Sequence, residues 1–285
     1  MHYIKLSNGV LMPQQMMGTS VCDYPGRPSE LHARMSNSVR FCLVNHIAGL
    51  DTGRDYGNEA LIGNIIHKLI VDGTITREEI FLTTKVGNSQ QRLRNMQAEI
   101  DTSLRDLKLD YLDLWLLHWP LPDCWLDNWA QITEIYKTGK VKAVGIANLR
   151  ERHIDEIKKA GLPLPHVVQI EHHPFRTVKP FLDICRDNCI QVEAYSSNCL
   201  MLPFVKDNTV LKEIAASHHK TVPQVMTRWH IQHGVIPIFS SFNPNHITEN
   251  VNVYDFELNE NEMELIFNLN QNYKFHPESV NCPGY

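Results

Sequence analysis

Four side chains able to move or hold a proton stand at or just beyond the ends of short apolar runs. Asp51 closes the run His46–Asp51, and Tyr56 follows within Asp51-Thr52-Gly53-Arg54-Asp55-Tyr56-Gly57-Asn58-Glu59. Lys85 ends Phe81-Leu82-Thr83-Thr84-Lys85, and His118 ends the run from Tyr111, just ahead of Trp119-Pro120. A carboxylate, a phenol, an ammonium and an imidazole are groups from which acid–base chemistry at a polarised oxygen is built. Singly, each has an ordinary explanation: a strand-end lysine is a solvated cap, and a lone histidine or tyrosine a satisfied core residue. Their joint placement, each closing a neighbouring run, marks them as one constellation.

The elements that must hold them follow from periodicity. Eight apolar runs read as strands: Met16–Ser20, His46–Asp51, Phe81–Val86, Tyr111–Trp119, Val141–Asn148, His166–His172, Ile190–Ser196 and Val235–Ser241. Between them lie stretches with apolar residues at three- and four-residue spacing, such as Glu59–Leu69, Met96–Leu107, Val178–Asn188 and Val210–Ser217. Eight β-α units of about 35 residues predict an α/β fold, a TIM (β/α)8 barrel. Ahead of it, Tyr3–Leu6 and Val10–Met12 flank Ser7-Asn8-Gly9, a hairpin in which Asn-Gly would supply two positive-φ residues. No linker or composition shift divides the chain, so residues 1–285 are expected to form a single domain. A doubly wound dinucleotide fold would need G-x-G-x-x-G after its first strand, and none is present. In a barrel, functional groups sit where strands run out into the βα loops, which is where the four residues fall.

Composition narrows the function classes. With 43% hydrophobic and 21% charged residues there is ample material for a large core. The net charge is −5 and Lys/Arg clusters are no longer than pairs, which argues against a nucleic-acid partner. No apolar stretch approaches the roughly 18 residues of a membrane span, and the N-terminus has no signal-peptide pattern. A cytoplasmic protein, off the membrane, is the expectation. Seven scattered cysteines without a C-x-x-C pair read as reduced thiols. The doublets His172-His173 and His218-His219 cannot simply chelate one ion, because adjacent side chains diverge, and no metal is expected.

Three motifs carry a resemblance over nearly the whole chain, from about Tyr3 to Tyr273. Asp51 through Glu59 resembles the D-T-A-x-x-Y-G-N-E run of the aldo-keto reductase family. Tyr111-Leu112-Asp113-Leu114 through His118-Trp119-Pro120 resembles Y-L-D-L…H-W-P, and Gly139–Ile146 resembles G-K-V-R-x-I-G-V. The intervals fit as well: 5 residues from Asp51 to Tyr56, 29 to Lys85 and 33 to His118. The resemblance implies reduction of an aldehyde or ketone to an alcohol with NADPH or NADH, Tyr56 being the general acid. A free tyrosine, with a pKa of about 10, is a sluggish acid at neutral pH. The Lys85 ammonium should lower that value, Asp51 should anchor Lys85, and His118 should donate to or orient the substrate oxygen. The alternative is a cofactor-binding barrel with a regulatory or non-redox role of the epimerase or lyase kind.

The resemblance also implies a cofactor site and departures from it. Gly18 and Thr19 match positions near the cofactor's centre, Asn148 and Gln169 the carboxamide contacts, Tyr195 the ring under the nicotinamide, and Glu249 and Asn250 the adenine contacts. The usual serine before the carboxamide-binding asparagine is Ala147, and Y-S-P-L-G becomes Tyr195-Ser196-Ser197-Asn198-Cys199. The family's I-P-K-S-x-x-x-x-R falls on Ile238–His246. Ser241 is therefore retained, but Ser240 and His246 replace the lysine and arginine that grip a 2′-phosphate. NADH is then as plausible as NADPH. Tyr24, Trp119 and Trp125 are expected to line the substrate pocket, and Gly87 stands where a tryptophan is often found. The short Leu121–Asn128 segment and the 12 residues after Tyr273 suggest an open pocket for a small or polar carbonyl compound. The chain is expected to act as a monomer.

Overall fold

An antiparallel hairpin, β1 (Tyr3–Lys5) with β2 (Leu11–Pro13), opens the chain. Gly9 takes a left-handed φ of 91° and donates to the Leu6 carbonyl, while the Leu6 amide donates to Val10. Asn8 is not in the left-handed region, so the turn needs one positive-φ residue rather than the two expected. The structure is a computed structural model in which residues 1–276 are described, apart from positions 23 and 48. Cys282 lies outside the described residues, and the other six cysteines are free thiols.

Eight parallel strands close the barrel: β3 (Met16–Gly18), β4 (Gly49–Asp51), β5 (Leu82–Val86), β6 (Leu112–Leu117), β7 (Val141–Ala147), β8 (Val167–Glu171), β9 (Gln191–Tyr195) and β10 (Val235–Phe239). They pair in sequence order, and β10 pairs with β3 to complete the circle. This is the TIM (β/α)8 architecture, with its N-terminal hairpin. The predicted runs overshoot the ladders by one or two residues at several C-terminal ends. Those extra residues, among them His118, Asn148, Ser196 and Ser240, turn out of the sheet into the barrel mouth.

Two apolar layers hold the barrel. Inside it, Met16, Leu114, Leu116, Ala143, Val167, Ile236 and Ile238 pack with Leu6 and Met12 of the hairpin, which plugs the end opposite the predicted site. Outside it, the strands bury Leu50, Leu82, Trp115, Ile146 and Val168 against helices including Pro28–Val44, Glu59–Val71, Met96–Leu107 and Trp125–Tyr136. Each fully buried Leu, Ile or Val adds about 1.5–3 kcal/mol. A third cluster surrounds Trp229 on the helix Val222–Gln232. His172, past the end of β8, stacks flat on Trp229 at 5.1 Å, with His230 and His233 beside it. Among the described residues, no helix is long and apolar enough to cross a membrane.

Candidate active site

Lys85 is the pivot of the site. Its side chain is fully buried, and Nζ donates to Asp51 Oδ1 at 2.6 Å, to the Thr52 carbonyl at 2.9 Å and to Tyr56 Oη at 3.3 Å. An ammonium has three hydrogens, and all three are taken. Tyr56 Oη therefore accepts from Lys85 and keeps its own hydrogen for another partner. Strand register sets this up: Asp51 lies beside Thr83 across β4–β5, and Lys85 emerges two residues further on.

The rest of the Asp51–Glu59 motif holds Tyr56 in place. Tyr56 ends a short 3-10 turn, Arg54–Tyr56, and Gly57 follows with a left-handed φ of 65°. Asn58 accepts from Thr52 Oγ1 at 2.6 Å and donates to the Thr19 carbonyl at 3.0 Å, tying β3 to the turn. Glu59, also buried, accepts from Arg54 at 2.9 Å and from Thr84 Oγ1 at 2.7 Å. Thr19 thus serves as a brace. It is fully buried and does not reach the cavity, contrary to its expected place among the cofactor contacts.

Burial raises the Tyr56 pKa above its ordinary value, and the Lys85 charge pulls it down without overcoming that. The expected depressed phenol is corrected on this point, because desolvation favours the neutral form. Burial also opposes the Lys85 charge, yet Asp51 and Tyr56 hold the ammonium above its ordinary value. Tyr56 is consequently a protonated phenol beside a permanent cation, able to release its proton as negative charge develops on a nearby oxygen.

His118 has a partner that the motif does not name. Its Nδ1 lies 3.0 Å from Asp55 Oδ2, and its ring meets Tyr56 edge-on at 5.7 Å. Asp55 Oδ2 also accepts the Asn88 amide at 3.2 Å. A Cβ at Gly87 would stand 2.2 Å from Asp55 Oδ1 and 2.4 Å from Gln90 Oε1, so a side chain at residue 87 would push both groups aside. Burial opposes the Asp55 charge, but His118 and the Asn88 amide bring its pKa below the ordinary carboxylate value. The joint signal in the sequence was an acid directly before Tyr56 together with glycine in place of a bulky residue at 87.

Amide side chains line the wall opposite. Gln169 Nε2 donates to Asp51 Oδ2 at 2.9 Å and to Glu193 Oε2 at 3.0 Å, which uses both its hydrogens and leaves Oε1 as an acceptor. Glu193 is fully buried inside the barrel, and burial and the Asp51 charge raise its pKa. Sequence reasoning missed it, since a lone acid in a strand carries no signal. Asn148, left-handed at φ 62°, donates to the His118 carbonyl at 3.0 Å and accepts from Tyr195 Oη at 2.8 Å. Tyr195 in turn meets His276 edge-on at 5.6 Å. That histidine arrives on a C-terminal segment whose Phe275 and His276 amides both donate to Glu171, at 2.6 and 3.0 Å. His276 of this segment supplies part of the cavity wall.

These groups border one cavity of about 1050 Å³ across the barrel mouth. Asp51, Tyr56 and His118 line it, and Lys85 stands just behind them. Gly18, Asn148, Gln169, Tyr195, Ser196, Ser240, Ser241, His246, Glu249 and Asn250 line it as well, with Tyr24 and Trp119. Trp125 does not. It begins the helix Trp125–Tyr136, is 3% exposed and packs edge-on against His153 at 5.2 Å. Tyr24 sits at the far end of the cavity, donating to Ser240 Oγ at 3.1 Å and resting on Phe242 at 4.5 Å. The Arg34 guanidinium lies over the other side of that neighbourhood, 4.3 Å from the Phe242 ring centre. The altered loop after Tyr195 holds Ser196, Cys199, Leu200 and Met201 in left-handed conformations, and Ser197 Oγ ties it to the Ile238 carbonyl at 2.8 Å. Asn198 Oδ1 on this wall is buried without a partner among the described residues.

Comparison with known proteins bears on the same arrangement. A sequence profile of the aldo/keto reductase family matches residues 36–198 and 202–271. A glyoxal reductase of Bacillus subtilis is 38% identical over 274 residues, spanning 96% of this chain and 95% of its own. A methylglyoxal reductase of Escherichia coli is 31% identical over 277 residues, with 96% of each chain covered. The crystal structure of a Bombyx mori aldo-keto reductase in complex with NADP matches with a TM-score of 0.87 at 27% identity, over 96% of this chain and 94% of that one. With the profile spanning the barrel and the similarity running nearly end to end, this chain belongs to the aldo/keto reductase family and is an NAD(P)H-dependent oxidoreductase.

Proposed function

We propose that the protein reduces a small aldehyde or ketone to the alcohol, with Tyr56 as the general acid and Lys85, Asp51 and His118 around it. One observation carries this: Lys85 donates to Tyr56 Oη at 3.3 Å while Tyr56 borders the cavity. A carbonyl oxygen seated against Tyr56 would receive its hydrogen bond, and the Lys85 cation would stabilise the phenolate left when the proton moves. Asp51 keeps Lys85 charged and aimed. A dihydronicotinamide held in the cavity would supply the hydride for the carbonyl carbon.

The amide wall suits that cofactor. Gln169 Oε1 and the buried Asn198 Oδ1 are acceptors without protein partners among the described residues, and the Tyr195 ring borders the same space. A carboxamide offers the donors these oxygens lack. Small α-dicarbonyl compounds are the substrate class we favour, by analogy with the glyoxal and methylglyoxal reductases to which the chain is similar.

For the cofactor's adenosine end we propose that NADPH and NADH bind with near-equal affinity. Ser240 and His246 carry no fixed charge, while Arg34, held over Phe242, and Lys206 border the cavity as replacement cations. Arg228 is not one of them, since it is buried against Gln232, Glu257 and the Val253 carbonyl. We take the protein to act as a monomer. The hairpin's packing into the barrel favours one domain over residues 1–285, and we place the protein in the cytoplasm. The test is a panel of aldehydes, ketones and dicarbonyls with NADH and NADPH in parallel, followed at the reduced-nicotinamide absorbance. No oxidation of either cofactor with any carbonyl would sink the proposal.

A further inference from the structure

The Asp55–His118 contact reverses the part expected of the histidine. A carboxylate can only accept hydrogen bonds, so the 3.0 Å contact with Asp55 Oδ2 puts the ring's hydrogen on Nδ1. In the neutral ring Nε2 then carries a lone pair. Nε2 has no partner among the described residues, and the ring borders the cavity.

The charged and titratable groups facing this ring come from three elements: Asp55 and Tyr56 on the turn after β4, Asp51 at the end of β4, and Lys85 on β5. Burial and the Lys85 charge oppose a second proton on the imidazole, and the aspartates favour one. The balance holds its pKa below the ordinary histidine value.

A carbonyl oxygen hydrogen-bonded by Tyr56 gains nothing from a second acceptor. What Nε2 can receive is a donor on the substrate, placed next to the reacting carbonyl. We propose that Asp55 positions His118 as a hydrogen-bond acceptor, and that the site therefore selects carbonyl compounds bearing a neighbouring hydroxyl. α-Hydroxyketones and the hydrates of α-dicarbonyls are that class. The idea rests on the carbonyl-reductase reading above, and adds to it a subsite and the residue that sets it. Gly87 belongs to the device, since a Cβ there would occupy the space of Asp55 Oδ1.

The test pairs a spectroscopic readout with a selectivity. Long-range proton–nitrogen spectra of labelled protein, with the His118 signals identified by their loss in His118→Gln, should show hydrogen on Nδ1 and none on Nε2. Hydroxyacetone and methoxyacetone activate the carbonyl similarly, but only the first can donate. The wild type should favour hydroxyacetone in kcat/KM by about tenfold, the value of one well-made hydrogen bond. Asp55→Leu should move the hydrogen to Nε2 and bring the ratio close to one. Gly87→Ala, which displaces the carboxylate without touching residue 55, should lower the ratio in the same direction. A wild-type ring protonated at Nε2 overturns the proposal, as does turnover of both ketones at a ratio that neither variant changes. No turnover of either ketone by the wild type overturns the selectivity, whichever tautomer is seen, whereas the reductase reading falls only if the whole carbonyl panel fails with both cofactors.

Discussion

Tyr56 Oη accepts from Lys85 Nζ at 3.3 Å and borders the cavity, so in the proposed reaction this one contact would both orient the acid and meet the charge it leaves behind. Because burial holds the phenol protonated, the proton is present throughout the neutral range, and the ammonium acts on the product of its departure. Removing either partner should separate the two roles.

Tyr56→Phe should depress kcat by at least about 10²-fold, the range for loss of a general acid. The ring still packs, so cofactor binding measured by fluorescence titration should stay within a few-fold of wild type. Turnover above about a tenth of wild type would assign the acid elsewhere.

Lys85→Met should also lower turnover by about 10²-fold or more. It removes the cation from a buried pair and leaves Asp51 with Gln169 alone, so a stability loss of about 3–5 kcal/mol in denaturant unfolding should accompany it. An unchanged pH–rate profile in the variant would show that Lys85 does not act on Tyr56.

Cofactor choice should respond to Arg34. Arg34→Ala should weaken NADPH about tenfold, as expected for one charge-assisted contact, and leave NADH unchanged. Ser240→Lys with His246→Arg should strengthen NADPH by about 10²-fold. Equal effects of Arg34→Ala on both cofactors, read by fluorescence titration, would show that Arg34 holds something other than the 2′-phosphate.

Acid should unfold the protein through its buried imidazoles. Burial lowers His172 well below the ordinary value, His230 to about 4 and His233 to about 3. In the unfolded chain such groups titrate near 6.5, so below that pH the unfolded state takes up protons that the folded state refuses. Stability is then full above about pH 6.5 and falls as pH drops toward 4, by about 1.4 kcal/mol per pH unit for each histidine. Glu193 works in the opposite sense, since burial and Asp51 make the folded state keep its proton. Urea midpoints at pH 7.5, 6 and 5 measure the net slope, and His233→Leu should flatten it by one histidine's share. A variant slope equal to wild type would remove His233 from the account.

The barrel was legible because its strands are apolar runs and its helices have apolar stripes, both local patterns. Strand ends were less so: where the ladder stops before His118 or Asn148 depends on a neighbour's register. At the site, Asp51, Tyr56, Lys85 and His118 could be found from type and spacing. Asp55 could not be found from spacing alone, because its meaning lies in a histidine 63 positions away and in the absence of a side chain at Gly87, and neither feature signals anything singly. Arg34 reads as one more exposed helical arginine until Phe242 is brought beneath it. Trp125 misled for the converse reason, since its distance from the histidine motif says nothing of which way its helix turns. The raised Tyr56 pKa was hidden too, for residue types reveal a neighbour's charge but not how much water has been removed.

The clasp between Glu171 and the C-terminal segment has one more implication. A carboxylate that grips two peptide N–H groups reads no side chain, so any residue but proline at position 276 leaves the clasp intact. His276 therefore hangs over the cavity from an anchor indifferent to its identity. The position is one that drift or an engineer could rewrite to reshape the pocket's rim without loosening the fold that carries it.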